Sequence, residues 1–188
     1  MDHLIAFNKP YGMICQFSEH EKHPTLKSCI KQSGFYPAGR LDTDSEGLLL
    51  LTNNGKLQAK IADPKFKLPK TYWAQVEGIP TKKDLTPIYE GIQLKNDTYA
   101  PAKAQLLAEP EQLWPRNPPI RERKSIPVSW IEIQISEGKN RQIRHMCAHI
   151  GFPCLRLIRV SIGSLNLFDL NLAPEQYRFI DSTNLFRR

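Results

Sequence analysis

The sequence predicts an α+β fold in which a mixed, mainly antiparallel sheet carries helices on one side. Short apolar or alternating segments of strand length recur along the chain, while only a few segments have the apolar spacing of helices. The chain has 188 residues, of which 40% are hydrophobic and 24% are charged. It is long enough for one large domain or two small lobes with a sizeable core, and its composition argues against disorder.

The clearest strand is Leu48–Leu51, an unbroken apolar run between Gly47 and the turn signal Asn54-Gly55. A basic connector with Lys65, Lys67 and Lys70 follows Asp63-Pro64 and predicts a boundary between two lobes, 1–64 and 65–188. Further strands are predicted at 4–7, 70–78, 92–94, 102–108, 129–136 and 154–161, with 13–17 as the returning strand of a hairpin. Helices are predicted at 24–34, 56–62, 80–90 and 143–150, followed by a helix-poor segment at 165–180 and a frayed tail at 182–188.

Charge and cysteine content indicate the class of partner and the compartment. The formal net charge is +7 and the pI is about 9.3, which favours a polyanionic partner such as a nucleic acid. The four cysteines lack CxxC spacing and are typical of reduced core thiols in a cytoplasmic protein. The sequence has no run of membrane-span length, no secretory signal, no zinc-ligand spacing and no nucleotide-binding glycine motif. We therefore expect no membrane, no metal and no cofactor.

Acidic residues immediately precede the Leu48–Leu51 strand. Asp44 and Glu46 are expected to be solvated loop residues. Asp42 stands between Gly39 and Gly47, which permit sharp turns, and a rigid strand behind it would hold a carboxylate with the accuracy that catalysis needs. Asp42 is therefore the candidate catalytic acid.

The residues around Asp42 carry a resemblance to a known family. Gly-Arg-Leu-Asp at 39–42, followed by Ser-Glu-Gly-Leu-Leu-Leu-Leu-Thr-Asn at 45–53, resembles the signature of RsuA-type RNA pseudouridine synthases. The resemblance implies the pseudouridine synthase fold, with two lobes, flanking helices and a central basic cleft. It also implies that Asp42 is the catalytic aspartate and that uridine in RNA is isomerised to pseudouridine without a cofactor.

Two further segments match the family. Lys-Thr-Tyr at 70–72 implies that Tyr72 is an active-site residue, although a tyrosine in a strand is more often part of the core. Glu-Gly-Lys-Asn-Arg-Gln-Ile-Arg at 137–144 is similar to the third family motif, whose last arginine, here Arg144, pairs with the aspartate. That pairing would keep Asp42 ionised while it is shielded from water.

The resemblance also implies residues that bind the substrate. Leu157 would lie against the target base, and Arg40 would fill the gap that the flipped uridine leaves, although a structural salt bridge within its loop is an equal alternative. Arg141 and Lys139 are candidate phosphate contacts on the third motif. Family members commonly have arginine in place of Lys139, so the contact there would lack the bidentate fork.

The basic, proline-rich segment 109–127 has two interpretations. It is either a solvated connector or a preordered RNA contact in which Arg121, Arg123 and Lys124 grip phosphates and Trp114 stacks on a base.

The resemblance is closest to family members without an S4-like RNA-binding domain, which modify one uridine of large-subunit ribosomal RNA. Nothing before the strand at Leu4 could form such a domain, so the catalytic lobes are expected to hold a stem-loop region of the RNA as a monomer. Two alternatives remain: a catalytically inert ribosomal-RNA-binding or assembly protein on the same scaffold, and an acid-dependent hydrolase of phosphate or sugar bonds.

Overall fold

The computed structural model describes residues 3–186, so the chain ends at 1–2 and 187–188 lie outside the described residues. The strands are β1 (His3–Lys9), β2 (Tyr36–Ala38), β3 (Glu46–Thr52), β4 (Lys70–Glu77), β5 (Ile92–Gln93), β6 (Thr98–Tyr99), β7 (Lys103–Leu107), β8 (Val128–Ile135), β9 (Cys154–Ile162), β10 (Leu165–Asn166) and β11 (Tyr177–Asp181). The α-helices are α1 (Gly55–Ala62), α2 (Thr86–Glu90) and α3 (Gln142–His149). Single 3₁₀ turns cover 26–28, 64–66, 83–85 and 182–185.

A nine-stranded mixed sheet organises the chain. Its order is β11-β1-β3-β9-β4-β8-β7, with β2 also paired to β3 and β10 to β9. The β3–β9 pair is parallel and the other pairs of this sheet are antiparallel. The predicted α+β class with a mainly antiparallel sheet is therefore confirmed. One sheet contains strands from both sides of position 64, and β11 near the chain end pairs with β1. The division into two lobes at 64/65 stays a prediction.

Both faces of the sheet are covered, which explains the unbroken apolar run in β3. Leu49 and Leu51 pack into one core with residues of α3, whereas Leu48 and Leu50 pack into a second core with residues of α1. The expectation that helices lie on one side of the sheet is therefore wrong. The side chain of Asn54 caps α1 by accepting hydrogen bonds from two amides of its first turn, at 2.9 and 3.1 Å.

Four local expectations also differ from the structure. The predicted helix at 24–34 is reduced to a 3₁₀ turn at 26–28. Segment 13–17 forms only an isolated bridge, Ile14 to Thr25, because β3 and β11 already occupy both edges of β1. The predicted helix at 80–90 is shorter, a 3₁₀ turn followed by α2. The tail is ordered through 182–185 because the fully buried Leu185 anchors it in the second core; 187–188 lie outside the described residues. Within 3–186, none of the helices has the length and apolar composition that a membrane crossing requires.

Candidate active site

The parallel pairing of β3 with β9 positions the candidate catalytic loop. Gly47, near the start of β3, lies beside Arg159 within β9, so the loop that contains Asp42 and leads into β3 lies next to β9. On the other side of β9, Tyr72 of β4 lies opposite Arg159, and Ala74 lies opposite Leu157. The loop before β3 and the strands β4 and β9, which are far apart in sequence, therefore meet at one place on the sheet.

A cleft of about 180 Å³ opens at this point. Its apolar part includes Tyr72 and Leu157, which are 8% and 5% exposed, whereas the side chain of Asp42 is 41% exposed. Six residues predicted from the sequence line this one cleft: Arg40, Asp42, Tyr72, Lys139, Arg141 and Leu157.

The arginines of the third motif bind the acidic loop differently from the expectation. Arg141 forms a fork on Asp44, with Nη1–Oδ1 and Nη2–Oδ2 distances of 3.1 and 2.9 Å, and its Nη1 lies 3.6 Å from Oδ2 of Asp42. Arg144 donates from Nη2 to the backbone carbonyl of Asp44 at 2.8 Å, and its Nε lies 3.5 Å from Oδ2 of the same residue.

The expected Arg144–Asp42 ion pair is therefore wrong for this structure, as is the expectation that Asp42 is shielded from water. Arg141 precedes α3 with a left-handed backbone (φ 50°), and from there its guanidinium reaches the loop. Arg144 lies within α3 and is held between the carbonyls of Asp44 and Cys154.

Asp44 is an ion-paired residue and not a solvated one. Burial by itself would raise the pKa of Asp44, but the hydrogen bonds from Arg141 and the charge of Arg144 outweigh burial and hold this pKa below its usual value. Asp44 therefore ties the loop to the start of α3 through two guanidinium groups.

Glu46 is also placed differently from the expectation, because it is 1% exposed at the start of β3. Arg156 of β9 binds it with two hydrogen bonds of 2.8 and 2.9 Å, and the indole of Trp114 donates to it at 2.9 Å. Arg156 also donates to the backbone carbonyl of Trp114. This buried cluster attaches the proline-rich segment to the sheet through Trp114, which is partly buried there. Base stacking by Trp114 stays a prediction.

Two buried cations, Lys9 and Arg159, bind backbone carbonyls in or next to the loop that contains Asp42. Nζ of Lys9 donates to the carbonyl of Pro10 at 2.8 Å and contacts that of Thr43 at 3.4 Å. Arg159 donates from Nε to the carbonyl of Leu48 and from Nη2 to that of Gly39, both at 2.8 Å. Neither role was predicted from the sequence. The Lys-Pro-x-Gly pattern at 9–12 was the available signal for Lys9, whereas Arg159 had none.

The other predicted binding residues are dispersed. Lys139 lies at the cleft, but its Nζ is 2.7 Å from Oδ1 of Asp97. In the proline-rich segment, Arg123 lies 3.6 Å from the carboxylate of Glu77. Arg121 and Lys124 are exposed and do not line the cleft, and the RNA contacts proposed for this segment stay a prediction.

Among residues 3–186, no group of three His, Cys, Asp or Glu side chains is arranged to hold a metal ion. The charged and aromatic groups that line the cleft are a carboxylate, guanidinium and ammonium cations, and one aromatic ring. Such a set can position a carboxylate against a ring-bearing, anionic substrate.

Comparison with known proteins points to one family. The sequence model described as "RNA pseudouridylate synthase" matches residues 3–149. "Ribosomal large subunit pseudouridine synthase E" of Vibrio vulnificus is 53% identical over 167 residues, which cover 89% of this chain and 71% of that protein. The protein of the same name from Xanthomonas campestris is 47% identical over 181 residues, which cover 95% and 96% of the two chains. The solved structure titled "Crystal structure of pseudouridylate synthase" superposes with a TM-score of 0.80 at 26% identity, over 98% of this chain and 73% of that one.

Proposed function

Since this chain belongs to the RNA pseudouridylate synthase family, we propose that it isomerises one uridine of large-subunit ribosomal RNA to pseudouridine. Membership confirms the resemblance that the motif around Asp42 predicted. The names of the relatives that are about half identical to this chain support large-subunit ribosomal RNA as the substrate.

The observation that carries the proposal is the convergence of Asp42, Tyr72 and Leu157 in one cleft. A flipped uracil ring needs apolar and aromatic surfaces to replace the stacking that it loses. Tyr72 and Leu157 supply these surfaces, and Asp42 is the carboxylate beside them. Arg40, exposed on the rim two residues before Asp42, is suited to fill the space that the base leaves in the RNA.

The reaction breaks the N1–C1′ bond of uridine, turns the uracil and forms the C5–C1′ bond. The proton on C5 is then lost to solvent and N1 gains a proton, so the composition of the nucleotide is unchanged. Asp42 would act while ionised, either by attacking C1′ or by assisting as a base at the sugar. Bound RNA would cover the half-exposed carboxylate and strengthen its electrostatic interactions. No electron and no transferred group enters or leaves, so the residues of the cleft supply what the isomerisation requires.

Arg141 and Arg144 would have different roles at the acidic loop. Arg141, within 3.6 Å of Asp42 and hydrogen-bonded to Asp44, would keep the acidic loop charged and oriented. Arg144 would hold the same loop in place through its hydrogen bond to the backbone carbonyl of Asp44. It would therefore position the loop, whereas the family motif implies that it pairs with Asp42.

The test is tritium release from ribosomal RNA that carries [5-³H]uridine. We expect Asp42→Asn to lower the release rate by at least about a hundredfold, because the neutral amide can neither attack nor accept a proton. RNA affinity is expected to stay close to that of the unmodified chain.

The matched control is Asp169→Asn, which removes the same charge from an exposed position away from the cleft. It should leave release unchanged. An active Asp42→Asn variant would contradict the assignment of Asp42, and an unmodified chain that binds the RNA without releasing tritium would favour the inert binding protein.

The proposal extends to the setting of the reaction. The net charge of +7 supports binding to a polyanion, and the four free cysteines are compatible with the cytoplasm, where ribosomal RNA is made in bacteria. We infer a monomer that acts on a stem-loop region of this RNA, and sedimentation of the chain with and without an RNA fragment tests this inference.

A further inference from the structure

Two buried cations in the cleft have no acidic partner in the part of the chain that the structure describes. Lys70, at the start of β4, is 5% exposed, and Arg159 of β9 is 2% exposed. Both line the same cleft as Asp42. Among residues 3–186, neither of them forms an ion pair with a carboxylate. Burial of an unpaired charge is costly, so this arrangement is unusual for a purely structural pair.

The ammonium of Lys70 is the less satisfied of the two. Its Nζ has one hydrogen-bond acceptor, the carbonyl of Leu68 at 3.5 Å, although an ammonium carries three donors. Burial, followed by the charge of Arg159, lowers the pKa of Lys70 to about 8. Burial also lowers the pKa of Lys9 to about 8. Lys9 differs from Lys70 in its surroundings, because nearby acids, among them Glu46 and Asp42, partly offset the effect of burial.

The position of Lys70 relative to the proposed base site is defined by β4. Lys70 and Tyr72 are two residues apart on β4, and their pairing with β8 is unshifted, so their side chains point to the same face roughly 7 Å apart. The β4–β9 pairing has a register shift between Thr71 and Tyr72. The Cε atom of Lys70 lies 3.9 Å from the place that a Cβ on Gly39 would occupy, so its side chain runs beneath the loop that carries Asp42.

We propose that Lys70, backed by Arg159, forms an anion subsite that binds one phosphodiester group of the RNA next to the flipped uridine. The inference rests on the proposed function, because it takes RNA as the ligand. RNA carries an anion at every nucleotide, whereas uracil is neutral, so the phosphodiester is the group that complements two unpaired cations. The subsite would fix the sugar of the target nucleotide relative to Asp42.

The first test is the salt dependence of binding to a ribosomal RNA fragment that the unmodified chain converts. Each neutralised phosphate contributes about 0.7–0.9 to the slope of log K against log salt. Lys70→Met should lower the slope by about that amount and weaken binding by about tenfold. Lys70→Arg should keep the slope. The control, Lys82→Met, removes an exposed lysine that does not line the cleft and should change neither quantity.

The second test replaces single linkages beside the target uridine by uncharged methylphosphonates. One replacement should weaken binding by the unmodified chain and have no further effect on Lys70→Met, because both changes remove the same contact. Additive losses at every linkage, or an unchanged salt slope in a Lys70→Met variant with native circular dichroism, would overturn the subsite.

The two proposals can fail separately. If the unmodified chain makes no pseudouridine in any ribosomal RNA fragment, the proposed function fails. The salt slope on a fragment that is bound without conversion still reports whether Lys70 contacts a phosphodiester.

Discussion

The buried pair of Glu46 and Arg156 gives the sharpest prediction for stability. Its side chains are 1% and 7% exposed, and two hydrogen bonds of 2.8 and 2.9 Å join them. The change to make is Glu46→Leu, which removes the acid and keeps an apolar side chain of similar length. Of the contacts recorded for the Arg156 guanidinium, it leaves a hydrogen bond to the backbone carbonyl of Trp114 and a cation–π contact with the Trp114 ring at 5.9 Å.

The expected loss follows from that unpaired charge. Breaking a buried ion pair by removing one partner costs about 3–5 kcal/mol of the free energy of unfolding. Since a domain is stable by about 5–15 kcal/mol, this is a large fraction of the total. With a urea dependence of about 2 kcal/mol per molar, the unfolding midpoint should fall by about 2 M.

A double-mutant cycle tests the cause of the loss. Replacement of both partners by apolar residues is often nearly neutral, because no buried charge is left without a partner. We therefore expect the double variant Glu46→Leu with Arg156→Met to be more stable than Glu46→Leu alone. The coupling free energy should be about 2–3 kcal/mol, measured from urea unfolding followed by circular dichroism.

The exposed pair of Lys27 and Glu19 is the control, because its side chains are 66% and 88% exposed. Glu19→Leu should leave the urea midpoint nearly unchanged. The reasoning is refuted if Glu46→Leu costs less than about 1 kcal/mol, or if the losses of the two single variants simply add in the double variant.

Two further predictions concern the loop and the strand that follows it. Gly47→Ala should destabilise the chain by at least about 1–3 kcal/mol, because φ is 103° and the added Cβ would overlap the backbone of Arg159. Gly55→Ala, on α1 with nothing within 4 Å of its Cβ, should be neutral or stabilising in the same urea assay, and equal losses at both sites would contradict this. Ion pairing to Arg141 lowers the pKa of Asp44. The contribution of Asp44 to stability is therefore fully present above the ordinary pKa of 3.8 and is lost as the pH falls below that value. Asp44→Asn should therefore destabilise at pH 7 and cost progressively less in unfolding measured toward pH 3, and a cost that does not depend on pH would refute the assignment.

Local patterns predicted the long strands and the helices α1 and α3, but they failed at 13–17 and 24–34, which form an isolated bridge and a 3₁₀ turn. The Leu48–Leu51 run and the α1 helix behind the Asn54 cap are examples of success, since period, apolar length and capping are properties of neighbouring residues. The edge strands β2 and β11 were missed. They have weak patterns of their own and become strands because β3 and β1 offer them free edges for hydrogen bonding.

The candidate site divides in the same way. The motifs around Asp42, Tyr72 and Leu157 predicted residues that share one cleft, because a motif preserves residue types and spacings that can be read along the chain. The pairing of charges could not be read in this way. Glu46 is buried and Arg141 takes the place expected for Arg144 because β9 brings Arg156 to the start of β3, and because α3 begins just after Arg141.

The sequence by itself determined the family, the α+β class and the strand that supports the acidic loop, and it predicted Asp42 as the catalytic residue. Only the tertiary structure decided which cation meets which carboxylate, and that Lys70 and Arg159 meet none among the residues that the structure describes. The physical reason is the separation along the sequence over which each interaction acts. Strand and helix patterns arise between residues a few positions apart, whereas the charge of a side chain is balanced by partners about a hundred positions away, which only the pairing of β3, β9 and β4 brings into contact.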